Sequence, residues 1–217
     1  MKLSHLLLVG LSPSVLARPA LAVPTLPPSA DNVVRIADSE IKLPAGQERP
    51  TWDGKYFHEP GGGDDLGHYD LRYYSGAPVT YEQRGETLYH LIRSYLSVFR
   101  ERNIETWVAH GTLLGWWWNG RIMPWDWDLD TQNVIDARWI DVRNGLFIDI
   151  TGLSETNPQA QPGVWSCKNY HRYRTSDLYP LRETEFEGVP ALVPYSFDRI
   201  LKQEYSAKVL TNTRHEG

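Results

Sequence analysis

The sequence predicts a single α/β domain, and three local patterns indicate it. A capping box at Thr80 and Gln83 opens a run with apolar residues at helical spacing, which predicts a helix of about 20 residues. A buried strand is predicted over residues 106–109, and Asn144-Gly145 between two apolar runs predicts a β-hairpin. Helical and strand patterns that alternate within 217 residues, 41% of them hydrophobic, indicate one core with irregular extensions.

The predicted helix begins after Thr80 and buries one face. After it, the run over residues 106–109 is expected to end at His110-Gly111-Thr112, which precedes a short helical segment over residues 113–117. The apolar residues of the long helix recur three and four positions apart: Leu88, Leu91, Ile92, Tyr95, Leu96 and Phe99.

The predicted hairpin has strands over residues 138–143 and 146–150, joined by a two-residue type I′ turn. Asn-Gly favours that turn because both residues tolerate positive φ. In this register Ile140 lies opposite Asp149. Asp149 is then a charge within an apolar strand, which is costly to bury unless a metal ion or hydrogen bonds compensate.

The C-terminal third carries two further patterns. Residues 185–193 predict a second small hairpin, with a turn near its middle. Residues 194–206 predict a closing helix that packs on Phe197, Ile200 and Leu201.

The N-terminus is typical of a secretory leader. Lys2, an apolar run and Ala20-Leu21-Ala22 follow the order of a signal peptide with a small-x-small cleavage site, so residues 1–22 are expected to be removed. A retained membrane anchor is the alternative, although the run is short and contains Pro13. The expected location is the lumen of the secretory pathway (Golgi or ER) or the extracellular space, with membrane contact only if the leader is retained.

Residues 23–79 are rich in Pro, Gly and Asp, which predicts an extended or partly disordered lead-in. Because it carries aromatic residues, part of it is expected to lie across the surface of the domain. Composition also restricts the function. A net charge of −5 and an absence of basic runs argue against a nucleic-acid partner. Cys167 is the single cysteine, which excludes a disulfide within the chain.

Asp126, Asp128 and Asp130 alternate along the chain. In a strand they would project to one face, about 7 Å apart, and would repel each other. Mg²⁺ relieves such repulsion, since it binds one or two carboxylates together with substrate phosphates. A solvated acidic loop is the alternative, but two tryptophans and a leucine lie between the acids, which favours a metal site.

A glycine lies upstream of these acids. Gly111 lets backbone approach a phosphate closely, and the N-terminus of the helix that follows offers free N–H groups. Arg121 could pair with a phosphate of a donor or be a surface arginine. The three tryptophans over residues 116–118 could stack on sugar rings, but packing in the core is the more common role.

Two segments together resemble the signature of the LicD and fukutin family, especially its fungal members linked to mannosylphosphate addition on cell-wall glycans. They are HGTLLG at residues 110–115 and RIMPWDWDLD at residues 121–130. The resemblance covers roughly residues 80–210. Further agreement comes from three later segments: NGLFIDI at 144–150, YPLR at 179–182 and FEG at 186–188.

The resemblance implies a nucleotidyltransferase-like domain over residues 80–217, with a mixed sheet and flanking helices. It implies a transferase that depends on Mg²⁺ or Mn²⁺. Its donor would be a nucleotide-activated sugar or sugar phosphate, and its acceptor a glycan. The group transferred would be phosphate-linked, with mannosyl phosphate as the fungal example.

The resemblance also assigns site residues. Asp128 and Asp130 match the metal-binding pair of the family, and Asp149 matches its third carboxylate. Gly111 and Thr112 match the turn on the phosphate side. A third carboxylate can complete the metal site or accept the proton of the acceptor hydroxyl.

One spacing departs from the family pattern. Relatives carry several dozen residues between the metal aspartates and the Asn-Gly hairpin, whereas Asp149 follows Asp130 by 19 positions. Either that insert is dispensable or the chain is an incomplete gene product. Two alternatives therefore stay open, a glycosyltransferase that holds a nucleotide sugar through its Asp-x-Asp motif, and a non-catalytic regulatory or glycan-binding relative.

Overall fold

A computed structural model describes residues 57–155 and 157–212. The expected leader and residues 23–56 of the lead-in lie outside the described residues. The helices are α1 (Tyr81–Glu101), α2 (His110–Asn119), α3 (Thr175–Leu178) and α4 (Phe197–Tyr205), with short 3-10 helices at Asp64–His68 and Ala207–Leu210. The strands are β1 (Trp107–Val108), β2 (Leu129–Asn133), β3 (Ala137–Ile140), β4 (Phe147–Gly152), β5 (Ser154–Glu155), β6 (Val164–Ser166), β7 (Arg172–Arg174), β8 (Arg182–Phe186) and β9 (Val189–Val193).

A mixed four-stranded sheet with the order β1-β2-β4-β3 forms the centre of the fold. Strands β2 and β4 are parallel, while β1 and β3 pair antiparallel at the two edges. Strands β5, β6 and β7 form a second sheet, and β8 pairs with β9. The α/β class with a mixed sheet and flanking helices is confirmed.

Helix α1 begins as predicted. The Gln83 N–H donates to Thr80 Oγ1 over 3.3 Å, and the Thr80 N–H donates to Gln83 Oε1 over 3.0 Å, which completes the capping box. The helix packs its apolar face against β3, β4 and β9. The predicted apolar positions lie in the core: Leu88, Leu91, Ile92, Tyr95 and Leu96 are buried, with Phe99 packed beside them.

The predicted hairpin exists as β3 and β4, but its register was wrong by two residues. Arg138, not Ile140, lies opposite Asp149, and Ile140 lies opposite Phe147. A shift of two keeps every side chain on its predicted face, because side chains alternate with a period of two. Asp149 therefore still shares a face with Phe147.

The wrong register has a local cause. The loop spans four residues, 142–145, instead of two, because the Asp141 carbonyl accepts the Gly145 N–H over 2.8 Å. The Asp141 carboxylate accepts the Arg143 N–H over 2.9 Å and also binds the Arg143 guanidinium. This side-chain turn displaces the type I′ turn that Asn-Gly predicted.

Two other expectations need correction. Helix α2 begins at His110, so His110-Gly111-Thr112 forms its first turn and does not precede it. Of the three alternating aspartates, only Asp130 lies in a strand, since β2 begins at Leu129. Asp126 and Asp128 belong to the loop before β2 and do not follow the strand period.

The described part of the lead-in contributes to the core. Tyr69 is fully buried, pairs with Leu146 in an isolated bridge, and accepts the Val79 N–H through its hydroxyl. Part of this segment was expected to lie across the surface of the domain. Tyr69 packs into the core, and the segment extends the folded unit towards the N-terminus.

The C-terminal expectations are confirmed by β8 and β9 and by α4, in which Ile200 and Leu201 are buried. The tryptophans over residues 116–118 pack against the C-terminal part of the chain, and all three indoles donate hydrogen bonds there. Over the part of the chain that the structure describes, no helix has the length and apolar character that a bilayer crossing needs.

Candidate functional site

Strands β2 and β4 bring two aspartates together. Asp130 and Asp149 are direct register partners in this parallel pair, so their side chains project to the same face of the sheet. The opposite face of the same two strands carries Leu129, Ile148 and Ile150, which are buried in the core. The apolar face fixes the register, and the register places the two carboxylates side by side.

Asp126 and Asp128 approach this pair from the loop before β2. Burial and the negative charges of Asp128 and Asp130 raise the pKa of Asp126 to about 8. Burial and the charges of Asp128 and Asp149 raise the pKa of Asp130 to about 7, although His110 opposes that shift. Asp126 and Asp130 thus lie close enough to neighbouring carboxylates to resist ionisation.

Two buried carboxylate oxygens of this group lack a hydrogen-bond partner among the described residues. They are Asp126 Oδ2 and Asp149 Oδ1. Oxygen atoms from several carboxylates are the ligands that Mg²⁺ and Mn²⁺ prefer. The second oxygen of Asp149 lies 3.4 Å from Lys168 Nζ, which also pairs with Asp136 over 3.3 Å.

The first turn of α2 supports the acids. Thr112 is 1% exposed, and its Oγ1 accepts the backbone N–H of Asp130 over 2.8 Å. Its hydroxyl therefore positions Asp130 and is turned away from solvent. A Cβ added at Gly111 would lie 3.8 Å from Asp126 Oδ2 and 3.9 Å from the Tyr205 hydroxyl, so the glycine faces the acids directly.

Two residues near the acids were missed at the sequence level. Burial and the charges of Glu204, Asp130 and Asp126 raise the pKa of Tyr205, so its hydroxyl stays protonated beside the carboxylates. His68 Nδ1 lies 3.9 Å from Asp128 Oδ2. Tyr205 ends α4 and His68 belongs to the lead-in, and no local pattern in either segment points to the acids.

A separate polar network surrounds Gln132, which points to the same face of β2 as Asp130. The Trp107 indole, which can only donate, bonds Gln132 Oε1 over 3.0 Å. This fixes the amide so that Gln132 Nε2 donates to His110 Nε2 and to the Tyr173 hydroxyl, each over 3.3 Å.

Glu204 closes this network. Tyr173 donates to Glu204 Oε1 over 2.7 Å, and the remaining proton of His110, on Nδ1, donates to Glu204 Oε2 over 3.0 Å. Burial alone would raise the pKa of Glu204, but the hydrogen bond from His110, and the charge of His110 when both ring nitrogens are protonated, hold that pKa below its usual value. Every side-chain polar atom of this network thus has a hydrogen-bond partner.

His110, His171 and Glu204 form a cluster whose possible ligand atoms lie within 4.8 Å of one another. The group could hold an ion such as Zn²⁺, which binds imidazole and carboxylate. The hydrogen-bond network disfavours a metal ion at His110 Nδ1. Such an ion would move the imidazole proton to Nε2, where it would face the N–H donor of the Gln132 amide. Among the described residues, this cluster is the group of acids and histidines whose possible ligand atoms come that close together, and the aspartates are not part of it.

Arg121 lies on the surface beside a cavity of about 440 Å³ between α1 and the loop over residues 121–126. Asp126 lines the same cavity, whereas Asp128, Asp130 and Asp149 are not among its lining residues, so Arg121 shares the cavity with one acid of the group. The structure therefore brings Asp126, Asp128, Asp130 and Asp149 together with Gly111 and places Arg121 at the adjoining cavity. Thr112 supports the group from behind.

Comparison with known proteins agrees with the motifs. Residues 103–139 match the family described as LicD/FKTN/FKRP, nucleotidyltransferase domain. That segment spans β1, α2 and β2, and it includes the first three aspartates but ends before Asp149.

Two curated proteins of Saccharomyces cerevisiae are similar to the chain. "Mannosyltransferase regulator 4" is 28% identical over 50% of this chain and 14% of its own length. "Mannosyltransferase regulator 14" is 28% identical over 52% of this chain and 18% of its own length. The chain thus matches less than a fifth of either relative. The LicD resemblance that the motifs predicted is confirmed.

Proposed function

We propose that this protein is a metal-dependent transferase that moves a phosphate-linked group from a nucleotide-activated donor to a glycan. The observation that carries the proposal is the parallel pairing of β2 with β4, which sets Asp130 beside Asp149. Asp126 and Asp128 stand next to them, and two of the eight carboxylate oxygens are buried without a partner. A purely structural acid cluster would have its buried oxygens satisfied.

Asp128, Asp130 and Asp149 would hold the ion, with Asp126 as a fourth carboxylate. Mg²⁺ or Mn²⁺ suits a donor set made of oxygen alone. When bound, such an ion neutralises charge that develops on a transferring phosphoryl group and on the departing nucleotide.

The residues of the chain supply the remaining roles. Thr112 fixes the backbone of Asp130, and Gly111 leaves room for a substrate oxygen next to Asp126. The protonated hydroxyl of Tyr205 is a hydrogen-bond donor at the edge of the acids. An acceptor hydroxyl that attacks phosphorus must lose a proton as the bond to the nucleotide breaks. Asp149 is the proposed carboxylate for that proton if it is not fully committed to the ion.

The substrates follow from the family resemblance and the relatives. A nucleotide-activated sugar or sugar phosphate is the proposed donor, and the names of the two yeast relatives favour a mannose-containing glycan as acceptor. Mannosyl phosphate is the proposed group. The lumen of the secretory pathway is the proposed location, and the leader on which this depends lies outside the described residues.

A non-catalytic regulator is the second candidate, and two observations favour it. Both relatives are called regulators. In addition, Lys168 pairs with Asp149 and with Asp136, so a protein cation already neutralises part of the site. A regulator would bind donor or glycan through the same cavity without turnover.

Product analysis separates the candidates. The purified full chain would be incubated with a panel of nucleotide sugars, an oligomannose acceptor, and Mg²⁺ or Mn²⁺. A phosphodiester-linked product and release of nucleoside monophosphate support the proposal. A plain glycoside with release of nucleoside diphosphate supports an Asp-x-Asp glycosyltransferase. Metal-dependent donor binding without any product supports the regulator.

A further inference from the structure

The cavity beside the acids contains an arginine that the proposed function has not used. Arg84 projects from the second turn of α1 and is 4% exposed. Its guanidinium lies 3.7 Å from the ring centre of Trp127 and 5.0 Å from that of Tyr81. Two aromatic rings therefore hold the planar group in one orientation.

Arg84 lacks an anionic partner. Across residues 57–155 and 157–212, no carboxylate forms an ion pair with its guanidinium, and no acceptor receives a hydrogen bond from it. Arg138 shows the usual arrangement, since its equally buried guanidinium pairs with Glu59 and Asp70. A buried cation without a counter-charge is destabilising, so Arg84 implies an anion that binds in the cavity.

Gly85 adds an independent observation. It lies in the interior of α1, where glycine destabilises a helix relative to alanine, and it lines the cavity. A Cβ added there would meet nothing within 4 Å. No packing contact requires a glycine, so its small size serves to leave the mouth of the cavity open.

The charged residues around the cavity suit a donor substrate that carries phosphates at one end and a sugar at the other. Arg84 and Arg121 both line it, and Asp126 joins it to the acidic site. The carboxylate of Glu187 is engaged by the Ile122 N–H over 2.7 Å. Glu82 and Glu86 are exposed at the rim of the cavity, where their carboxylates can accept hydrogen bonds from the hydroxyl groups of a sugar. A volume of about 440 Å³ is within the range of small-ligand sites.

We propose that this cavity is the donor subsite, in which Arg84, held between Trp127 and Tyr81 and assisted by Arg121, binds the phosphates of the nucleotide-activated donor. The assignment rests on the proposed function for the identity of the donor. The anion site itself rests on the unpaired guanidinium. A phosphate bound there would lie next to Asp126, at the boundary of the metal-binding group.

Binding of inorganic pyrophosphate and of guanosine, uridine and cytidine diphosphates to the full chain tests the proposal by calorimetry, with and without Mg²⁺. Arg84→Met keeps the stacked hydrocarbon volume but removes the charge. We expect its affinity to fall about tenfold or more, as for the loss of a charged hydrogen bond. Its melting temperature should stay the same or rise. Arg100→Met, which removes an exposed arginine from the same helix, is the matched control and should bind as the wild type does.

Gly85→Leu is the second variant. It should raise the melting temperature, because leucine is the better helix former, and yet weaken binding, because the side chain enters the cavity mouth. Wild-type affinity in both Arg84→Met and Gly85→Leu, or no binding of any of these anions to the wild type, overturns the proposal. Anion binding that depends on Arg84 without any transfer to glycan leaves the subsite standing and refutes only the proposed catalysis.

Discussion

Two polar regions lie on the same face of strand β2, two residues apart, and they are built in opposite ways. Around Gln132, every buried donor and acceptor of Trp107, His110, Tyr173 and Glu204 has a partner. Around Asp130, the groups are almost all carboxylates, which can only accept when ionised. The Gln132 network is complete within the protein, whereas the acidic group requires protons or cations from solution.

This difference separates a structural role from a binding role. The network joins helix α4 to α2, β1, β2 and β7 through short contacts, so it holds the C-terminal helix in place. That placement carries Tyr205, the residue after Glu204, to the acids. The hydrogen-bonded network around Gln132 thus supports the acidic group. Variants in the network should lose stability, whereas variants in the acidic group should lose activity.

The largest effect should come from the acidic region. We expect Asp130→Asn to lower donor turnover by about 100-fold or more, because charge stabilisation of the transition state is lost. Metal-free stability should stay the same or rise, since the amide relieves repulsion among the carboxylates. Turnover assays and thermal melts on the same preparation measure both. Asp198→Asn, which removes a half-exposed acid of α4 that pairs with Lys202, is the control. Near wild-type turnover of Asp130→Asn would refute the metal assignment.

A smaller loss of activity is expected for Asp149→Asn, about tenfold to 100-fold. A buried pair with Arg138, which lies opposite in the hairpin, would make Asp149 structural, but Arg138 pairs with Glu59 and Asp70. Lys168, the observed partner of Asp149, is half exposed. In the variant it would still form its ion pair with Asp136. Metal-free melting temperature should therefore change little. A marked loss of stability with unchanged activity per folded molecule would make Asp149 structural.

Much of the local structure was predictable because its signals lie within a few residues. The capping box at Thr80 and the apolar spacing along α1 act over single turns, and both are observed. The hairpin at Asn144 was located correctly for the same reason. Its register was not predictable from Asn-Gly, because the carboxylate of Asp141 stabilises a longer loop.

The candidate site was predictable only where its residues are close in sequence or match a family motif. The parallel pairing of Asp130 with Asp149 depends on how β3 passes to the far edge of β4, which no local pattern encodes. Tyr205 and Arg84 reach the site from helices whose apolar spacing describes the core alone. Side chains on the polar faces of helices carry no periodic signal for the cavity that they line.

The network around Gln132 should respond to Glu204→Gln with a loss of stability. One end of the new amide must present a donor to His110 or to Tyr173, and a changed His110 tautomer would face the Gln132 amide with a second donor. An unsatisfied buried donor destabilises by about 1–3 kcal/mol. For a chain of this size each kcal/mol lowers the melting temperature by about 2–4 °C. Glu183→Gln, at an exposed position, is the control.

The smallest effect is a pH dependence to which Asp126 and Asp130 contribute. The raised pKa values of Asp126, about 8, and Asp130, about 7, mean that the folded protein holds protons that the unfolded chain releases near pH 3.8. Stability of the metal-free protein should therefore fall as pH rises from about 4 to about 8. Glu204 does not oppose this trend, because its lowered pKa affects stability only in more acidic solution. Burial lowers the pKa of His110, but the hydrogen bond and charge of Glu204 raise it by more, so His110 adds to the trend. Burial lowers the pKa of His171, which opposes it.

Saturating Mg²⁺ should flatten that slope, since the ion replaces the protons among the carboxylates. Thermal melts across this pH interval, with chelator and with Mg²⁺, measure both curves. Asp130→Asn should reduce the slope of the metal-free curve. Glu204→Gln should lower that curve and also reduce its slope, because it removes a charge that raises the pKa values of His110 and Asp130. A metal-free stability that rises with pH in this interval would show that the acids are ionised and compensated within the fold. The carboxylates would then be compensated by protein groups, as the polar atoms of the Gln132 network are. This result would refute the proposed cation site.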